Sequence, residues 1–138
     1  MTKVSVGSTA RRVEHGRLVY YRPRPPDEAF WSGHWKGVDV KSMLRIAADG
    51  DPGEYGSCLL RSLRSKDVIL EAGCGYGRFV VGLAAVGYTV TGIEFSAETV
   101  ALARKSVPQC DIIEGDVLNL PFDSESYEGY VSLGVVEH

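Results

Sequence analysis

At 138 residues and 44% hydrophobic composition, the chain is long and apolar enough to bury the core of one small domain, which excludes a disordered polypeptide. No run approaches the ~18 to 20 uninterrupted apolar residues of a membrane helix, no apolar signal core follows the N-terminal charges, and a net charge of −3 points away from nucleic acid as a partner. Cys58, Cys74 and Cys110 are odd in number and share no metal-ligand spacing, so neither a disulfide framework nor a metal site is expected, and a cytosolic setting follows.

The charge is divided along the chain. Residues 1–48 carry nine Lys/Arg against four Asp/Glu, and residues 49–138 carry six against fourteen. A basic leader on an acidic body can steer an anionic substrate or simply pack on that body. Through Pro26 the leader sets Arg11, Arg12, Arg17, Arg22 and Arg24 among Pro23, Pro25 and Pro26, which forbids a continuous helix and predicts an extended arm over 1–26. Residues 27–66 read as a helical segment. Phe30, Trp31, His34 and Trp35 form an aromatic cluster that needs cover, either as a lid over a ligand, with Tyr20 and Tyr21 able to join, or by packing a helix against the body. Val40, Met43, Leu44, Ile46 and Ala47 recur at helical spacing, and after Asp51-Pro52-Gly53 a second helix places Leu59, Leu60 and Leu63.

The body occupies residues 67–138. Asp67 to Glu71 is a short apolar strand of the kind buried in a parallel sheet, and Gly77 to Ala85 is a helix with Phe79, Val80, Leu83 and Ala84 inward, closed by Gly87. Tyr88 to Ile93 is the next strand, Ser96 caps a helix running to Ser106 ahead of Pro108, and Asp111 to Glu114 and Tyr130 to Val136 are two further strands. Strands alternating with helices of about ten residues predict an α/β fold with a parallel sheet covered on both faces.

The chemistry concentrates at Glu71-Ala72-Gly73-Cys74-Gly75-Tyr76-Gly77-Arg78, where a strand passes into a helix. Gly73 and Gly75 allow a ligand to press against the turn, and Gly77 lets the helix sit close to its strand. Glu94 follows Gly73 by 21 positions at the end of the next strand, near the ~20-residue interval at which a carboxylate reaches both hydroxyls of a ribose. It could equally cap the following helix. Beyond the third strand of the body, Asp116 can accept from an adenine amino group or merely form a turn with Gly115. The glycine spacing is GxGxG and not the GxGxxG of dinucleotide binding. Glu71 would repel a pyrophosphate but attract an α-amino group, so an aminoacyl nucleoside fits better than NAD.

EAGCGYG at 71–77 resembles the first motif of class I S-adenosylmethionine-dependent methyltransferases of the type 11 or UbiE-like group. GIEFS at 92–96 resembles that family's ribose motif, EGDVLNLPF at 114–122 its adenine segment and YEGYVSLGVVEH at 127–138 its fourth strand, so the likeness covers roughly residues 67–138. The resemblance implies a Rossmann-like sheet and S-adenosylmethionine as cofactor. It places Gly73, Cys74, Gly75 and Gly77 around the methionine moiety with Glu71 near the amino group, Glu94 on the ribose, Phe95 beside the adenine, Asp116 and the Val117 amide at the adenine edge, and Leu133 with Gly134 against the cofactor. Glu137 and His138 fall where the family meets its substrate, making His138 a candidate catalytic base for a small-molecule acceptor. The family's strand order is 3-2-1-4-5-7-6, and this sequence reaches only the fourth strand, which would become an edge with Val131, Leu133 and Val135 poorly covered. A fragment, a truncated product, or an edge completed by self-association are the readings this leaves. Beside the methyltransferase stand a non-catalytic cofactor-binding unit and, less well matched, an NAD-binding half-domain.

Overall fold

The computed structural model describes residues 10–21, 27, 30, 31, 33, 35, 37–51 and 55–135. Two strands, β1 (Ala10–Glu14) and β2 (Arg17–Tyr21), pair antiparallel through a two-residue turn at His15-Gly16, both with φ in the left-handed region. The predicted arm is therefore extended but paired. An X-Gly pair between β-prone runs is a hairpin signal that its arginine and proline content obscures.

Helices α1 (Val40–Ala48) and α2 (Gly56–Ser62) occupy the two expected stretches. Asp39 caps α1 by accepting from the Ser42 amide at 3.1 Å, and Leu44 and Ala47 are buried on the face toward the body. The body supplies β3 (Val68–Ala72), α3 (Arg78–Ala85), β4 (Thr89–Glu94), α4 (Ala97–Ser106), β5 (Asp111–Glu114) and β6 (Gly129–Val131). Its four strands form one parallel sheet in the order β5-β4-β3-β6, the 3-2-1-4 arrangement that the resemblance implied.

Because strand side chains alternate, Ile69, Val90, Ile112 and Val131 face one side of the sheet, where they join Val80, Leu83, Val100 and Ala103 from the helices in the main core. Helix α1 packs against α3 in that layer. Within α3 the inward residues are Val80, Val81, Gly82 and Leu83, while Ala84 is exposed and Phe79 half-buried, correcting the predicted face by one position. Leu70, Ala72 and Ile93 point to the other side, where Val117, Leu120, Phe122 and Tyr127 cover them. Both faces are thus covered as expected, one by helices and the other, among the described residues, by the 116–127 loop.

Strand β6 ends at Val131, five residues short of the predicted Val136. Gly134, at φ +75, bends the chain over the ends of the neighbouring strands and brings the Val135 side chain onto Gly73. Val131 is consequently buried in the core and Leu133 and Val135 are half-buried, so these residues are not poorly covered as expected. β6 nevertheless remains the last strand of the sheet.

Candidate functional site

The carboxyl ends of β3, β4 and β5 and the turn after β6 converge on one cavity of about 430 Å³, ample for a nucleoside-sized ligand. Nine residues that the resemblance placed around the cofactor line it: Glu71, Gly73, Cys74, Glu94, Phe95, Asp116, Val117, Leu133 and Gly134. Gly75 and Gly77 stand behind the wall. A Cβ on Gly75 would lie 2.1 Å from Cζ2 of Trp35, and one on Gly77 would lie 2.7 Å from Cδ1 of Ile112, so Gly75 admits the indole and Gly77 lets α3 approach β5. His138 and Glu137, like His34, lie outside the described residues.

Backbone hydrogen bonds fix the glycine turn to β4. The amides of Gly73 and Cys74 both donate to the carbonyl oxygen of Ile93, at 2.8 and 3.0 Å, and the Gly77 amide donates to the Cys74 carbonyl at 2.9 Å. Glu94, almost wholly buried, ties the same turn to the start of α4. Its Oε2 accepts from the Gly75 amide at 3.0 Å and its Oε1 from the Ser96 amide at 2.9 Å. Glu94 thus lines the cavity while also holding the backbone of Ser96, the residue that caps α4. A carboxylate offers about four lone-pair positions, and two remain for hydroxyl donors.

Glu71 is the second buried acid, only 3% exposed, and its Oε2 has no hydrogen-bond partner. Burial pushes its carboxyl up from the usual range to about 8; the Val80 backbone amide opposes this and the negative charge of Glu94 reinforces it. Burial also pushes the Cys74 thiol up, with Glu71 and Glu94 adding in the same direction, so this cysteine is a packed thiol and not a nucleophile. Asp116 closes a local turn, its Oδ1 accepting from the Leu118 amide at 2.9 Å, while still bordering the cavity.

Three carboxyl side chains therefore meet one guanidinium, that of Arg78, in the wall. Trp31, Trp35, Met43, Phe79, Leu118 and Val135 supply apolar surface. Trp35 packs edge-on against Tyr76 with ring centroids 5.2 Å apart, so it both buries the turn and walls the cavity. Phe79, Met43 and Val135 were legible only as core positions, since nothing in helical or strand spacing marks the residue at the rim. A site with excess negative charge, hydroxyl acceptors and an apolar slot suits a cationic nucleoside and disfavours a pyrophosphate. Among the described residues no group of three or more His, Cys, Asp or Glu is placed to hold a metal ion.

Fold and cavity together define a Rossmann-like nucleoside-binding unit of the class I methyltransferase kind. Residues 69–138 match the family described as methyltransferase domain, and the chain belongs to that family. It is 37% identical over 70 residues to a probable S-adenosylmethionine-dependent methyltransferase of Mycolicibacterium smegmatis, covering 51% of this chain and 27% of that protein. With a demethylmenaquinone methyltransferase of Chlorobaculum tepidum it shares 37% over 60 residues, 43% of this chain and 25% of the relative. A crystal structure from Methanococcus maripaludis superposes with a TM-score of 0.58 at 18% identity, covering 84% of this chain and 54% of that one, which bears out the fold. The chain spans only about a quarter of the length of these two curated relatives. S-adenosylmethionine is the cofactor of the class, and the two buried carboxyl groups on the cavity, Glu71 with its unpartnered Oε2 and Glu94, fit a ligand that carries an ammonium group and hydroxyls.

Proposed function

We propose that this cavity holds S-adenosylmethionine and that the protein transfers its methyl group to a small-molecule acceptor. The observation that carries the reading is the pair of buried carboxyl groups, Glu71 and Glu94, at adjacent strand ends on one cavity, with Glu94 bonded to the glycine turn. In this assignment Glu94 accepts both ribose hydroxyls, Phe95 lies beside the adenine, and Asp116 with the Val117 amide meets its edge. Glu71 takes the amino group and Arg78 the carboxylate. Gly73 and Cys74 shape the wall at the methionine moiety, Gly75 and Gly77 hold the turn behind it, and Leu133 packs against the cofactor.

The bound sulfonium supplies an electrophilic methyl group, so the protein's part is to orient the two reactants and exclude water. Segment 27–66 serves as the lid, with Trp31, Trp35 and Met43 already in the wall. The body from residue 67 is the binding unit, residues 1–26 are a separate arm, and His138 is the base where an acceptor must lose a proton. The demethylmenaquinone methyltransferase among the relatives accords with a small organic acceptor. The thiols of Cys58, Cys74 and Cys110, unpaired in this structure, support a reducing, cytosolic setting. No described helix is long and apolar enough to cross a membrane. Self-association through β6, the terminal strand, belongs to the same proposal, and concentration-dependent sedimentation tests it.

Calorimetric titration with S-adenosylhomocysteine tests the cofactor assignment. Loss of two hydrogen bonds to a charged acceptor, each worth about 1.5 to 3 kcal/mol, should weaken binding by Glu94→Ala at least about a hundredfold, and a folded wild-type chain that gives no binding contradicts it. A second reading, a cofactor-binding unit without turnover, is favoured by one feature: the described site residues, Gly75 and Gly77 behind the wall excepted, border the cavity and are all assigned to the cofactor. Methyl incorporation across a panel of small acceptors separates the two, since only the first yields product.

A further inference from the structure

Glu71 is an odd residue to bury. Its strand neighbours in register, Gly92 and Val131, offer no side-chain donor, and its Oε2 lacks a partner. A carboxyl group held this way costs stability that an apolar side chain in the same place would not, unless a ligand answers it. Among the described residues, the charged and titratable groups on its cavity are Glu94 from β4, the Cys74 thiol from the turn, Arg78 from the head of α3 and Asp116 from beyond β5. The described wall residues from the N-terminal segment, Trp31, Trp35 and Met43, do not titrate near neutrality. Gly92 has no side chain because one there would strike Cys74 Sγ at 2.7 Å and Val80 Cγ2 at 2.8 Å, so the space beside Glu71 is already filled on the sheet side. The cavity is the open side.

Building on the cofactor reading above, we infer that Glu71 is neutral while the cavity is empty and ionises as the ligand's ammonium group arrives, so that binding releases a proton to solvent. The carboxyl O–H bond breaks, its proton leaves to water or buffer, and a carboxylate–ammonium pair forms. The ligand amine is not the acceptor, because an α-amino group below about pH 7.7 already carries its proton. Burial holding the empty-state carboxyl near 8 is consistent with this, and a cation within hydrogen-bonding reach reverses that effect.

The test is calorimetric titration of the 138-residue chain with S-adenosylhomocysteine at pH 6.5, in phosphate, HEPES and Tris. The slope of apparent enthalpy against buffer ionisation enthalpy counts the protons exchanged. Wild type should release close to one proton per ligand, and its affinity should rise by up to tenfold per pH unit between pH 6 and 7.5. Glu71→Gln should release none and show a flat profile. Wild-type binding with no proton exchange overturns this inference and leaves the cofactor reading standing, whereas no binding by the folded chain removes both. Should Glu71→Gln not fold, the infrared band of a protonated carboxyl in wild type should vanish on ligand addition, and a band that persists refutes the inference.

Discussion

Glu71 concentrates the consequences of the fold in one side chain. With its carboxyl near 8 when folded, against an ordinary 4.5, the folded chain keeps a proton that the unfolded chain has lost between those values. Stability from this group is thus fully present below about pH 4.5 and is lost as pH rises through about 8, by at most about 1.4 kcal/mol per pH unit. Urea midpoints should fall from pH 5 to 8 in wild type and fall less in Glu71→Gln, and equal slopes for the two would contradict a carboxyl buried with its Oε2 unanswered. The sequence exposed the charge preference of this position because an acid two residues before GxGxG, at the end of a buried strand, is unusual. It could not show that Glu94 bonds the turn and the next helix at once, since that depends on how Gly75 and Ser96 approach across two strands.

Among the elements, the turn at 73–77 joins sheet, lid and cavity. Gly75 has φ +55, and a Cβ there would drive into the Trp35 indole. Gly75→Ala should therefore cost about 1 to 2 kcal/mol from the backbone alone and shift the tryptophan fluorescence as the ring is displaced. Unchanged stability and emission would mean that Trp35 does not rest on the turn. Strands β3, β4 and β5 and helices α1 and α4 were legible within a residue or so, because apolar runs, the Ser96 cap and Pro108 are local signals. Where reading failed, the cause was an element shaped by tertiary contact or masked by composition. Val131, Leu133 and Val135 alternate like a strand, yet Gly134 ends it and turns Val135 onto Gly73. The β1–β2 pairing hid behind prolines and arginines, and the 116–127 loop covers a sheet face through Phe122 and Tyr127, which stack edge-on at 5.0 Å but follow no periodic pattern.

At the scale of the molecule, one sheet face carries the helices and the main core, and the strand ends carry the cavity, so cavity and core share residues such as Cys74 and Leu133. A second, larger groove of about 630 Å³ runs between α1 and α4, lined by Lys41, Arg45 and Lys105 over Leu44 and Val107. Its positive lining would repel a sulfonium, so charge and not volume decides which hollow is the cofactor site. The most direct measurement is a crystal structure of the chain with S-adenosylhomocysteine. The ribose hydroxyls should lie within hydrogen-bonding distance of Glu94, with the amino group at Glu71 and the adenine between Phe95 and Asp116. A ligand seated in the α1–α4 groove, or one that leaves Glu94 bonded only to Gly75 and Ser96 with its hydroxyls turned elsewhere, would contradict the account.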